Sequence, residues 1–266
     1  MPRPNEHRFP RQHAHQTDEG GRRTAADGTG RRDERRDENR DEQVDHGGPA
    51  MTTEQIHEAA RQAAPEPARI APLPVEEWSE DAAETLPKYL RRPELFLSGR
   101  PDALPMPTSL RLFAHHIRLT EPWLAFSEVL ASRNAVLDPR HRELVVLRVA
   151  WRTRSSYEWT HHLRIGKHSG VTSEEIHAIP QGAAADLWAP LERAMLAAVD
   201  QMIDQFRVDD ETWRVLASHL DEPQLLELSF VIGSYLCLAQ VLNNVGLQPE
   251  PPTEVIDAPA LPALGT

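Results

Sequence analysis

The sequence has 266 residues, and its 29 lysines and arginines against 41 aspartates and glutamates give a net charge of −12. An acidic chain argues against a nucleic-acid groove, which needs a basic surface. The single cysteine, Cys237, excludes an intramolecular disulfide and a cysteine-rich zinc site, and it fits a cytoplasmic protein.

The charge pattern divides the chain into four parts. Residues 1–50 hold ten arginines and eleven acids with few apolar residues, so we expect a disordered charged extension without a signal peptide. Residues 51–75 are rich in proline and alanine and predict an arm or linker. A helical domain is expected over residues 76–247. Residues 248–266 hold five prolines and predict an irregular tail.

The first helices of this domain are marked by proline and by capping residues. Residues 109–133 predict two helices, separated near the proline at position 122. Asp138 and Pro139 are an N-cap and a first helical residue, and the helix continues through residues 143–152. Ser155 begins the next helix, which ends at Gly170.

The second half of the domain is predicted helical as well. Thr172 and Glu175 form a capping box, and residues 191–203 repeat apolar positions every 3.6 residues. Asp209 begins a helix that reaches residue 220. Residues 221–245 predict a long helix that is apolar on nearly every side, as expected of a central buried helix. Its longest apolar run, residues 230–242, is too short to span a membrane. The fold class is therefore all-α.

The densest group of titratable residues surrounds position 160. Glu158 and His162 are four residues apart and share one helix face, an arrangement suited to proton transfer. Glu143 lies on the apolar face of its own helix, where a carboxylate needs a partner or a function. Two other interpretations stay open. The sole role of Glu158 could be to cap the helix at Ser155, or Glu158 and His162 could form an ordinary surface contact.

A metal site built from Glu158, His161 and His162 is the third interpretation. Adjacent histidines on a helix point about 100° apart, so both rarely bind one ion. We therefore expect no metal.

Three sequence elements resemble the carboxymuconolactone decarboxylase family, which is related to the alkylhydroperoxidase-D-like proteins. The elements are the REL-x-x-L-R-V-A run from Arg142, the YEW-x-x-H run from Tyr157, and the segment from Gly170 to Ile176. The resemblance extends over residues 110–246. It implies an antiparallel helical bundle that assembles into homo-oligomers, trimers or hexamers, with sites near the subunit interfaces.

The resemblance also separates two kinds of chemistry. Peroxidase members of the superfamily carry a CxxC, a histidine four residues after it, and a glutamate twelve residues before it. Glu143 and His162 match that glutamate and histidine, whereas Ser155 and Glu158 occupy the cysteine positions. Neither residue can form a thiolate, so a peroxiredoxin-type activity is disfavoured. Decarboxylase-like members carry Glu and His at the positions of Glu158 and His162.

The resemblance thus implies a cofactor-free lyase or isomerase for a small carboxylated lactone or cyclic acid. His162 would be the general acid/base, Glu158 its partner or a second acid/base, and Glu143 an orienting carboxylate. Three residues would bind the substrate: Arg148, Tyr157 and His161. Arg148 could instead pair with Glu143 or with a neighbouring subunit. The alternative function is a non-catalytic helical oligomer or ligand-binding protein. We expect neither nucleic-acid nor membrane partners.

Overall fold

The computed structural model describes residues 67–98, 100, 103–132, 134–251 and 254–264. The predicted extension over residues 1–50 and most of the arm over 51–75 lie outside these residues. Ten α-helices and no strands occur in the described part of the chain, in agreement with the all-α prediction. Four short 3₁₀ segments join them: Val75–Glu77, Leu86–Tyr89, Ala114–His116 and Ile179–Ala184.

The α-helices are numbered here in chain order. The helices that precede the predicted site are α1 (Glu80–Thr85), α2 (Glu94–Leu97), α3 (Thr108–Phe113) and α4 (Ile117–Ala131). The helices of the predicted site and beyond are α5 (Pro139–Thr153), α6 (Ser156–His168), α7 (Ser173–Ala178), α8 (Pro190–Gln205), α9 (Asp210–Ala217) and α10 (Glu222–Val245).

The helix starts follow the predicted caps closely. The Asp138 carboxylate accepts hydrogen bonds from the backbone N–H groups of Arg140 and His141, and Thr172 and Glu175 form the predicted capping box. The break before α4 differs from the prediction. It lies at Ala114–His116, and Pro122 is inside α4, where the chain continues as a helix without that one N–H donor.

Helix α5 is the centre of the fold. It packs against α6, α8 and α10, and all of its residues from 142 to 150 are buried. The prediction that residues 221–245 form the central buried helix was therefore wrong. Helix α10 buries one side, whereas Leu226, Phe230 and Val241 on its other side are 62%, 50% and 44% exposed. The charged residues of α5 concealed its central position, because they reduce its apparent hydrophobicity.

Length and hydropathy alone would allow α10 to cross a membrane. Helix α10 has 24 residues, whereas the expectation of no membrane span considered only its apolar run over residues 230–242. Its buried side packs against α5 and α8 in the helical core, and a packed core helix can meet the same criteria.

The C-terminal tail contains no helix or strand in residues 248–251 and 254–264, yet it packs on the domain. Ile256, Ala258 and Leu261 contact the apolar cluster beneath Trp151. The carbonyl of Ala263 accepts a hydrogen bond of 2.9 Å from Arg154. The tail therefore covers one side of helix α6.

Candidate active site

The centre of the candidate site is an imidazole–carboxylate pair that joins α5 and α6. His162 Nδ1 lies 2.7 Å from Glu143 Oε2, and the two side chains are only 12% and 2% exposed. A tight turn explains the juxtaposition. Arg154 ends α5 in a left-handed conformation, and Ser155 in an extended one begins α6, so the helices run antiparallel. Gly166 allows their close approach, since a Cβ there would lie 3.3 Å from Leu147.

Arg142 completes the surroundings of the Glu143 carboxylate. Its Nε donates to Glu143 Oε1 at 3.1 Å, and one of its terminal nitrogens donates to the Leu130 carbonyl. Burial alone would raise the pKa of Glu143, but His162 and Arg142 together hold it below its usual value. Glu143 therefore remains a carboxylate, and it accepts a hydrogen bond from protonated Nδ1 of His162. The second ring nitrogen, Nε2, stays available for proton transfer.

Glu158 is the second carboxyl group of the site, and its surroundings differ from those of Glu143. It is 2% exposed, and neither carboxyl oxygen has a hydrogen-bond partner. Burial raises its pKa to about 8, and the Ser155 hydroxyl opposes that shift without reaching hydrogen-bond geometry. The capping box suggested for Ser155 and Glu158 is therefore absent. At neutral pH Glu158 is a protonated acid that can donate its proton.

This protonation state predicts a pH-dependent stability. The folded pKa of about 8 exceeds the ordinary value of 4.5, so between these values the folded chain keeps a proton that the unfolded chain releases. The free energy of unfolding then falls as pH rises through this window, by up to about 1.4 kcal/mol per pH unit. The variant Glu158→Gln should lose this slope. Urea unfolding of both proteins at several pH values measures it.

A matched control is Glu174→Gln, which replaces an exposed glutamate at the start of α7. It should keep the pH slope of the wild-type protein. Equal slopes in the wild type and in Glu158→Gln would show that Glu158 is ionised throughout the window.

Tyr235 on α10 belongs to the same group of residues, although sequence reasoning did not select it as a site residue. Its ring packs edge-on against the ring of His162, with centroids 5.0 Å apart. Burial and the neighbouring carboxyl groups of Glu143 and Glu158 raise the pKa of Tyr235, so its hydroxyl stays protonated. Its separation of more than 70 residues from His162 left no local pattern from which to find it.

Tyr157 and His161, both predicted to bind substrate, lie on a different face of α6. Their rings pack with centroids 4.4 Å apart, and they line a cavity of about 240 Å³ between α6 and the C-terminal tail. The Tyr157 hydroxyl donates to Ser109 Oγ at 2.8 Å, and burial raises its pKa to about 12. The structure therefore does not bring these two residues together with Glu143, Glu158 and His162.

Glu250 from the tail closes this cavity. One of its carboxyl oxygens accepts the Thr108 backbone N–H, and the other lies 2.8 Å from His161 Nε2, outside hydrogen-bond geometry. Burial opposes ionisation, but His161 and the backbone of Thr108 lower the pKa of Glu250 to about 2. Sequence reasoning missed this residue because an irregular proline-rich tail gives no signal of where it packs.

Arg148 is placed away from the candidate site, which corrects its predicted role in substrate binding. Two of its nitrogens bind the Asp200 carboxylate at 2.8 Å each, and the third donates to the carbonyls of Ile179 and Pro180. The suggested pairing with Glu143 is also absent, because Arg142 occupies that position. The Arg148 side chain is 8% exposed and has a structural partner at every nitrogen.

Two further observations concern metals and Cys237. Among the described residues, no three His, Cys, Asp or Glu side chains lie close enough to hold a metal ion. Cys237 is exposed on α10. It lies on the side of α10 that carries Phe230 and Val241, away from the protein core.

Comparison with known families concerns the central part of the chain. The sequence model of the carboxymuconolactone decarboxylase family matches residues 118–201, which include Glu143, Ser155, Glu158 and His162. Residues 118–201 are thus similar to the carboxymuconolactone decarboxylase family. A search of curated proteins finds no significant match.

Solved structures show the same fold at low sequence identity. An uncharacterised peroxidase-related protein from Silicibacter sp. TM1040 is 17% identical, with a TM-score of 0.56 over 70% of this chain and 94% of its own. The alkylhydroperoxidase AhpD core from Ralstonia eutropha JMP134 is 17% identical, with a TM-score of 0.54 over 68% of this chain and 93% of its own. A cysteine-to-alanine variant of the debrominase Bmp8, in complex with 2,3,4-tribromopyrrole, is 16% identical. Its TM-score is 0.53 over 68% of this chain and 91% of its own. These likenesses show that the chain has an AhpD-like helical fold.

Proposed function

We propose that this chain is a cofactor-free acid/base enzyme that acts on a small carboxylated lactone or a related cyclic acid. The observation that carries the proposal is the Glu158 carboxyl group, buried and without a partner, on the same helix face as His162. An acid that is protonated at neutral pH and a hydrogen-bonded imidazole are the two groups that such a reaction needs.

The proposed reaction is the loss of CO₂ from a carboxylate attached to the ring. The C–C bond to the carboxylate breaks, and its electron pair passes into the conjugated lactone as an enolate. Glu158 or protonated His162 then donates a proton to carbon, and solvent restores that proton to the acid. Glu143 holds the imidazole in one tautomer, and the protonated hydroxyl of Tyr235 can stabilise the enolate.

A thiol-dependent activity has no support in this sequence, despite the peroxidase-related description of two of the similar structures. Ser155 and Glu158 are buried at the two matched cysteine positions. The only cysteine of the chain, Cys237, lies far along the sequence on the exposed side of α10. It has no second thiol with which to form a disulfide.

One observation favours the alternative, a ligand-binding oligomer without catalysis. Neither the cavity beside Tyr157 nor a second one, at the ends of α4 and α6, is lined by Glu143, Glu158 or His162. In a catalytic protein, substrate would then have to reach these residues through a different gap. Such a gap could lie against a second copy of the chain.

A substrate screen distinguishes the two functions. Small cyclic acids and lactones are incubated with the protein in D₂O, and mass spectrometry follows the loss of CO₂ and the uptake of deuterium. The proposal expects both for at least one carboxylated lactone. Binding without either change, over the whole set, would favour the alternative.

The homo-oligomer is itself a prediction that the exposed side of α10 supports. Leu226, Phe230, Cys237 and Val241 recur at spacings of four, seven and four residues and form one exposed stripe. A stripe of this kind marks an interaction surface. Light scattering at micromolar concentration should therefore give a mass well above the 30.0 kDa of one chain. A particle of 30.0 kDa would contradict the prediction.

A further inference from the structure

The second cavity of the protein is unusually rich in arginine. It has a volume of about 550 Å³ and lies where the ends of α4 and α6 meet the start of α5. Four arginines line it, and no aspartate or glutamate does: Arg91, Arg92, Arg142 and Arg164. We call this cavity the arginine cleft. In a chain with a net charge of −12, so many guanidinium groups around one cavity require a reason.

Intramolecular partners account for only part of this charge. Arg142 pairs with Glu143, but no described acidic side chain pairs with Arg91, Arg92 or Arg164. The C-terminal ends of α4 and α6 also face the cleft, through Ser132 and Ser169. Each helix end carries roughly half a negative charge, so the two together offset about one of the four positive charges. About two guanidinium charges therefore remain without compensation from the residues that the structure describes.

The cleft is connected to the candidate active site through one buried residue. The Arg142 side chain is 7% exposed and forms part of the cleft wall. Its Nε donates to Glu143 Oε1, and the other oxygen of that carboxylate binds His162 Nδ1. An anion in the cleft would therefore lie one side chain away from the proposed acid/base group.

We propose that the arginine cleft binds the carboxylates of a small anion that carries at least two of them, and that Arg91 and Arg92 hold the end of the ligand farthest from His162. This inference rests on the proposed function for the identity of the ligand. Guanidinium groups bind carboxylates with paired, charge-assisted hydrogen bonds, and the cleft has the volume of a small-molecule site.

The chemistry of decarboxylation adds a constraint on the ligand. A carboxylate held by guanidinium groups is stabilised in the ground state, which slows its loss as CO₂. The carboxylates in the cleft are therefore ones that stay on the product, and the carboxylate that leaves must lie outside the cleft.

Two variants test the cleft without touching the proposed acid/base residues. Arg91→Gln combined with Arg92→Gln removes two exposed charges from the cleft. The matched control, Arg69→Gln combined with Arg214→Gln, removes two exposed charges that line neither cavity. Both double variants change the net charge equally, so a difference between their anion affinities reports where the removed charges lie.

Isothermal titration calorimetry of the full chain with citrate, succinate, acetate and inorganic phosphate gives the affinities. We expect one site for citrate and succinate, and much weaker binding of acetate. The cleft variant should weaken citrate binding at least about tenfold, and the control by less than about twofold. Phosphate that binds as tightly as citrate, with the same loss in the cleft variant, would identify a general anion site and overturn the carboxylate assignment.

The same titration on His162→Ala separates this inference from the proposed function. Citrate should bind that variant as tightly as it binds the wild type, because His162 does not line the cleft. Failure of turnover with retained citrate binding would reject the function and keep the cleft. No citrate binding to the wild type, or equal losses in the cleft and control variants, would overturn the inference.

Discussion

Replacing His162 with alanine should lower kcat for a carboxylated lactone by about two to four orders of magnitude, the usual contribution of general acid/base catalysis. His162 is held by Glu143 at 2.7 Å and by the ring of Tyr235, so the variant removes one of the two positioned acid/base groups. Single-turnover measurements with the best substrate from the screen give the rate of the chemical step.

Cys237→Ser and His177→Ala are the controls for this prediction. Both residues are exposed and lie outside the Glu143–Glu158–His162 group, so each variant should keep the wild-type kcat. Thermal unfolding of His162→Ala shows whether the loss reflects chemistry or folding. Equal activity of the wild type and folded His162→Ala would remove His162 from the mechanism.

Replacing Arg148 with methionine should lower the free energy of unfolding by about 3 to 5 kcal/mol, the usual cost of breaking a buried ion pair. The change leaves the Asp200 carboxylate without its two-point partner, and it removes the hydrogen bonds that Arg148 donates to the carbonyls of Ile179 and Pro180. Gly182 packs directly against the guanidinium, in a left-handed conformation where a Cβ would clash with Arg148. The variant therefore loosens the whole segment after α7. Urea unfolding measures the loss.

The comparison variant is Arg152→Met, because Arg152 binds the same Asp200 but its side chain is 24% exposed. That change should cost much less, on the order of 1 kcal/mol. An Arg148→Met variant with the stability of the wild type but without substrate binding would restore the predicted binding role. The structure predicts the opposite result.

Local sequence signals predicted the helices well, because each depends on neighbouring residues. Asp138 and the Thr172–Glu175 pair cap their helices as expected, and Gly246 ends α10 in a left-handed conformation. The proximity of Glu143 to His162 was expected only from the family resemblance. Their spacing of 19 residues has no meaning until the short turn at Arg154 and Ser155 makes the two helices antiparallel.

The features that could not be predicted depend on contacts between distant residues. Glu158 has the sequence spacing of a capping residue, but the packing around it buries its carboxyl group without a partner. The partner of Arg148 is 52 residues away, and Glu250 reaches His161 from an irregular tail. Helix α10 has the composition of a core helix, yet it leaves Phe230 and Cys237 exposed.

The protonation state of Glu158 is the most direct test of the proposed mechanism, because the proton donor must be neutral at the working pH. NMR of protein labelled with ¹³C at the glutamate carboxyl carbons can follow this group, with Glu158→Gln to assign its resonance. We predict that the Glu158 carboxyl group is protonated at neutral pH and that its carbon resonance titrates near pH 8. A resonance that titrates near the ordinary glutamate value of 4.5 would contradict the account, since Glu158 would then have no proton to donate.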